Sequence, residues 1–140
     1  MILFDTSVLS RVLRRSKPGA DERRLQEMLE ALMVQEESLG LPAIVLQELL
    51  SGLQSEKQFE QLRSRLLASF KIVCPETADY IEAARMKNKC LAEGVNVSGP
   101  DCLIAAITVR GKHELFAMDA DFESIARIVP LRLFDIERHR

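Results

Sequence analysis

Apolar and polar positions alternate along this chain in two rhythms. Short apolar runs occur at Ile2-Leu3-Phe4, Leu39 to Ile44, Ile72-Val73-Cys74, Leu115-Phe116-Ala117 and Leu131 to Phe134. Short apolar stretches bounded by turn residues are the pattern of buried strands. Between them, apolar residues recur at helical spacing. Asp5-Thr6-Ser7 can turn the chain and cap a helix over Val8 to Arg14, which Lys17-Pro18-Gly19 breaks. Asp21 is placed to cap the next helix, where Leu25, Met28, Leu29, Leu32 and Met33 trace one face. A helix carrying Glu48 stops near Gly52, and Ser55 to Phe70 forms another with Phe59, Leu62, Leu66, Leu67 and Phe70 inward. Thr77 to Ala92 reads as helix, ending at Gly94. Ser98-Gly99-Pro100-Asp101 opens a helix over Cys102 to Arg110 that is apolar nearly all round and should be deeply buried. Asp119 to Ile128 reads as a short helix or turn. Strands separated by helices require crossover connections. The expected fold is therefore α/β: one domain over residues 1–140, with a mostly parallel sheet of about five strands and helices on both faces.

Composition narrows the function classes. A chain of 140 residues, 47% hydrophobic and 29% charged, is an ordinary globular domain rather than a disordered one. Nineteen Lys and Arg against 21 Asp and Glu give a net charge of −2, which excludes nucleic-acid coating by bulk charge but not a local basic face. No 18-residue apolar run spans a membrane, and Met1 to Asp5 has no basic start of a secretory signal, so a cytoplasmic location is expected. Cys74, Cys90 and Cys102 contain no Cys-x-x-Cys pair. They are expected to be buried, inert thiols rather than zinc ligands or a disulfide framework. His113 and His139 have no triad spacing with a nucleophile and are expected on the surface.

The acids are the informative residues. Ligands of open parallel sheets bind at the carboxyl ends of strands. Asp5 follows the first strand and Asp119 follows the fourth, while Asp101 lies in the first turn of the buried helix. Glu48 sits among Val45, Leu46, Leu49 and Leu50, where an unpaired carboxylate is costly. Taken singly, each acid has an ordinary explanation as a helix cap, a complement to a helix dipole or a solvent-facing residue. Jointly they do not, because no Lys or Arg lies within three residues of Glu48, Asp101 or Asp119, and Asp5 has none before Arg11. Converging without bases, such carboxylates repel by roughly 2–4 kcal/mol per close pair at an effective dielectric near 20. A divalent cation removes that cost, and an all-oxygen donor set points to Mg²⁺ or Mn²⁺ rather than zinc.

The segments that carry these acids resemble the motifs of PIN-domain nucleases. Ile2-Leu3-Phe4-Asp5-Thr6-Ser7-Val8-Leu9 is similar to the family's opening strand and first acid. Leu41 to Gly52 resembles the second motif with Glu48 as its glutamate, and Pro100-Asp101-Cys102-Leu103-Ile104-Ala105-Ala106 the third. Phe116-Ala117-Met118-Asp119-Ala120-Asp121-Phe122 resembles the fourth, usually Asp-x-Asp-Phe. The match extends across the chain, and the size resembles free-standing domains of the VapC type, toxins of toxin–antitoxin pairs. One position departs from the pattern: Ala117 stands where family members often carry Thr or Ser.

The resemblance implies a metal-dependent endoribonuclease that dimerises and is inhibited by a cognate antitoxin. It implies catalytic roles for Asp5, Glu48, Asp101 and Asp119. Asp5, Asp101 and Asp119 would lie at the metal, Glu48 would be a ligand or position a water, and Asp121 and Thr6 would support them. An RNA substrate needs basic residues around an acidic pocket. Arg11, Arg14, Arg15 and Lys17 are the candidates, with Arg23 and Arg24 nearby and Arg85, Lys87 and Lys89 forming a second group. The alternative is a PIN-like module that binds RNA or protein without cutting, favoured only by Ala117. A phosphoryl-accepting receiver domain ranks low, because no lysine follows Lys112. A haloacid-dehalogenase-like phosphatase would need an acid at Ser7.

Overall fold

The computed structural model describes residues 1–13, 19–35 and 38–135. Four parallel strands form the sheet: β1 (Ile2–Phe4), β2 (Leu39–Pro42), β3 (Lys71–Val73) and β4 (Glu114–Phe116), in the order β3-β2-β1-β4. Ile2 pairs with Leu39 on one side and Glu114 on the other. The chain thus leaves β1 toward β2 and β3, then returns to place β4 on β1's opposite edge. That reversal creates a crevice at the carboxyl ends of β1 and β4, the topological switch point where open α/β sheets bind ligands.

Seven helices join the strands: α1 (Thr6–Leu13), α2 (Ala20–Val34), α3 (Ala43–Leu50), α4 (Glu56–Ser69), α5 (Thr77–Ala92), α6 (Gly99–Arg110) and α7 (Ala120–Ala126). The all-apolar segment behaves as its sequence requires, with Cys102 to Thr108 continuously buried in α6. Inside, Thr108 returns its hydroxyl to Ile104 O at 2.8 Å, which satisfies a polar group that has no water. Phe4 meets Phe70 edge-on at 5.3 Å and Phe116 at 5.5 Å, so strands at the switch point are locked by aromatic packing. Behind the sheet, Asp79 is fully buried. The Arg110 guanidinium holds it from α6 through Nε–Oδ1 at 2.5 Å and Nη2–Oδ2 at 2.9 Å, and this keeps its carboxyl below the usual range.

Several expected details differ. The fifth apolar segment forms one parallel bridge, Leu133 to Leu115, with backbone bonds of 2.9 and 2.8 Å beside it. Pro130 cannot donate, and Leu131 turns back onto Val129, so pairing stays short. β2 ends at Pro42, and Ala43 and Ile44 already belong to α3. Asp21 lies inside the first turn of α2, whose cap is Gly19. Met33 and Leu67 point outward, at 49% and 44% exposure. Each lies eight residues beyond the first residue of its apolar face, and eight steps of 100° end about 80° away from it. Cys74 is exposed at the end of edge strand β3, whereas burial pushes the Cys90 and Cys102 thiols up. His113 is half-buried rather than on the surface. The left-handed turn at Lys112 folds the His113 ring over Gly111, leaving Nδ1 buried without a partner among the described residues and the imidazole pKa lowered by lost solvation. His139 lies outside the described residues.

Candidate metal centre

Four chain segments bring acids to the switch point. Asp5 ends β1 and is 6% exposed. Its backbone carbonyl accepts the first helical bond of α1, and its Oδ2 accepts from Ser7 N at 3.1 Å and Ser7 Oγ at 2.7 Å. One oxygen is thus committed to capping. Among the described residues, no hydrogen bond reaches the other. Across the sheet, Asp5 N donates to Phe116 O at 3.0 Å, which ties the ends of β1 and β4 together.

Asp101 occupies the first turn of α6, where Ser98 caps the helix by accepting from Asp101 N at 3.2 Å. Desolvation raises the Asp101 carboxyl to about 6. Ser98 partly offsets this, while the charges of Asp5, Asp119 and Asp121 push in the same upward direction. Asp119 caps α7 and accepts from Asp121 N at 2.9 Å. One oxygen from each of Asp101, Asp119 and Asp121 falls within 4.8 Å of the others. Glu48 approaches from α3. It is exposed as a whole residue, but partial loss of water at its carboxyl and the charge of Asp5 raise its pKa. Thr6 opposes that rise. Among the described residues, its buried Oγ1 has no partner within hydrogen-bond geometry, and it lies toward Glu48.

Asp101, Asp119 and Asp121 form a tight trio, and the charge of Asp5 adds to the desolvation that raises both Asp101 and Glu48. Among the described residues, the ion pairs involve Arg63, Arg85 and Arg110, and none engages these five acids. The donor chemistry fits a hard divalent cation. Asp101, Asp119 and Asp121 would hold such a cation through carboxylate oxygens that lie within 4.8 Å of one another.

The basic candidates separate. Arg11 is exposed in the last turn of α1, and Arg23 and Arg24 are exposed on α2, while Arg14, Arg15 and Lys17 lie outside the described residues. In the second group, Lys87 donates to Val97 O at 2.7 Å and Arg85 pairs with Glu82 at 3.5 Å, so both have structural employment. Ser7 is the site residue that sequence reasoning passed over as a turn former. Its hydroxyl also accepts from Met118 N at 3.0 Å, across 111 positions of chain.

The family model for the PIN domain matches residues 2–128. The chain belongs to the PIN-domain family. Among solved structures, it is similar to FitAcB from Neisseria gonorrhoeae, with 25% identity, a TM-score of 0.76, and coverage of 96% of this chain and 97% of that one. VapBC2 from Rickettsia felis, solved with a promoter DNA fragment, has 18% identity and a TM-score of 0.78, covering 96% and 98%. The Mycobacterium tuberculosis toxin VapC20, described as cleaving the sarcin–ricin loop, has 17% identity and a TM-score of 0.67, covering 94% and 99%. A search of the curated proteins found no match. The chain shares the PIN fold with these structures.

Proposed function

We propose that this PIN-domain protein is a Mg²⁺- or Mn²⁺-dependent endoribonuclease acting in the cytoplasm as the toxin of a toxin–antitoxin pair. The observation that carries the reading is the trio Asp101, Asp119 and Asp121 within 4.8 Å of one another, with Asp5 near enough for its charge to act on both Asp101 and Glu48 and no ion pair to any of the five among the described residues. Asp5, Asp101 and Asp119 hold the cation, Asp121 closes the trio, and Thr6 steadies Glu48. When bound, the cation supplies an activated water near neutral pH and neutralises charge on the phosphate oxygens. Asp5 keeps one oxygen on Ser7 and presents the other to the site. Glu48, with its pKa raised, orients the attacking water and accepts its proton. Arg11 and the adjoining Arg14, Arg15 and Lys17 draw the RNA backbone to a pocket that would otherwise repel it.

The neighbours solved as toxin–antitoxin complexes support an antitoxin partner. An open apolar groove between α1, α2 and α4, lined by Val12, Leu29, Met33 and Leu66 with Glu30 and Arg65, offers it a seat. A second copy of the chain suits the apolar face formed by Ile44, Tyr80, Pro100 and Leu103, next to Asp101.

The test is direct. Purified protein, stripped with EDTA and then given Mg²⁺, is incubated with a structured RNA, and the new ends are sequenced beside those from Asp5→Asn and Asp101→Asn. Discrete ends that need Mg²⁺ and both acids support the reading. Equal cleavage by the variants, or full activity in EDTA, overturns it.

A further inference from the structure

A single hydroxyl bridges the end of β1 and the loop that carries Asp119. Ser7 lies in the first turn of α1, two residues beyond Asp5. A serine hydroxyl has one proton to donate and lone pairs to accept with. The proton goes to Asp5 Oδ2 at 2.7 Å, and a lone pair accepts the Met118 N–H at 3.0 Å. The first bond ends on a carboxylate and is therefore a strong one. Met118 directly precedes Asp119, whose carboxylate caps α7. One side chain thus fixes the rotamer of the first acid and the backbone that presents the fourth.

We infer that Ser7 is a positioning residue that sets the separation of Asp5 from the Asp119–Asp121 loop. The geometry has a one-sided consequence. Asp5 Oδ2 is occupied by Ser7 N and Oγ, so its other oxygen is the one presented to the cation. Without the hydroxyl, the backbone N–H of Ser7 still caps Asp5. The link to Met118 disappears, and the loop bearing Asp119 and Asp121 loses its tether to β1. The inference rests on the proposed metal-dependent reading for its effect on the cation, but not for the bridge itself.

The experiment uses the full chain and two readouts. In metal-free protein, amide hydrogen exchange at Met118 reports the bridge directly. Ser7→Ala is expected to speed it at least tenfold, and Ser7→Thr, which keeps the hydroxyl, to leave it within twofold. In a calorimetric titration with Mn²⁺, Ser7→Ala is expected to raise Kd by about 10- to 100-fold, the usual cost of removing a group that orients a ligand. Met118 exchange unchanged in Ser7→Ala overturns the bridge. Faster exchange with an unchanged Kd overturns the positioning role. Asp5→Asn separates the two proposals: if it binds Mn²⁺ as well as the native protein does, the metal reading fails, while Met118 exchange still judges the bridge.

Discussion

Replacing Asp101 by Asn should stabilise the metal-free protein while abolishing its function. In the folded state the Asp101 carboxyl is raised from 3.8 to about 6, first by desolvation and then by Asp5, Asp119 and Asp121. A pKa raised on folding means that the folded state binds more protons than the unfolded state between those values. Stability therefore falls as pH rises through that window and levels off above it. Two units correspond to about 3 kcal/mol. Screening at this partly exposed carboxyl removes up to half of that, leaving roughly 1.5 kcal/mol. For a chain of this length, that is a rise of about 5 °C in Tm for Asp101→Asn at pH 8 in EDTA. Near pH 4 the native carboxyl is protonated too, and the two proteins should melt together. Mg²⁺ should reverse the order, because only the native protein gains binding free energy. Differential scanning calorimetry at pH 4 and pH 8, with and without Mg²⁺, measures all four conditions. An Asn variant less stable than native at pH 8 in EDTA, or equally displaced at both pH values, would refute the reasoning.

Other consequences can be checked separately. Arg110→Ala leaves Asp79 buried without its guanidinium and should lower the urea midpoint, with Arg110→Lys recovering part of it; an unchanged midpoint would contradict the pairing. Because the Asp79 carboxyl is held below its ordinary value, the native pair's contribution should be full at neutral pH and fade as acid protonates Asp79. Ellman's reagent should titrate Cys74 alone in the native protein and all three thiols after unfolding; fast reaction of Cys90 or Cys102 would contradict their burial. Removing Arg11, Arg14 and Arg15 together should weaken RNA binding and flatten its dependence on salt, and an unchanged slope would take that segment out of the interface.

Much of this was legible because the signals are local. Apolar runs followed by acids located β1 and β4, and the unbroken apolarity of Cys102 to Ile107 marked α6 as the buried helix that carries Asp101. The limits of α4 and α5 followed from Ser55, Pro75 and Gly94. The departures have physical causes. Met33 and Leu67 continue a helical period that has rotated off the core, and Pro130 withholds the donor a longer fifth strand would need. Relations between distant residues carry no local mark. Asp79 looks like any acid in a helix's first turn until Arg110, 31 residues on, closes over it. Ser7 reads as a turn residue until Met118 is seen to donate to it. Asp121 lies two residues from a stronger candidate, and only the start of α7 turns its carboxylate toward Asp101.

The central claim is that the acids gathered between β1 and β4 form a seat for a divalent cation. Calorimetric titration of Mn²⁺ into the EDTA-stripped, dialysed protein tests it without any RNA. The account predicts saturable binding that Mg²⁺ competes for and that Asp5→Asn, Asp101→Asn and Asp119→Asn each weaken severely. No saturable binding, or binding indifferent to all three substitutions, would contradict it.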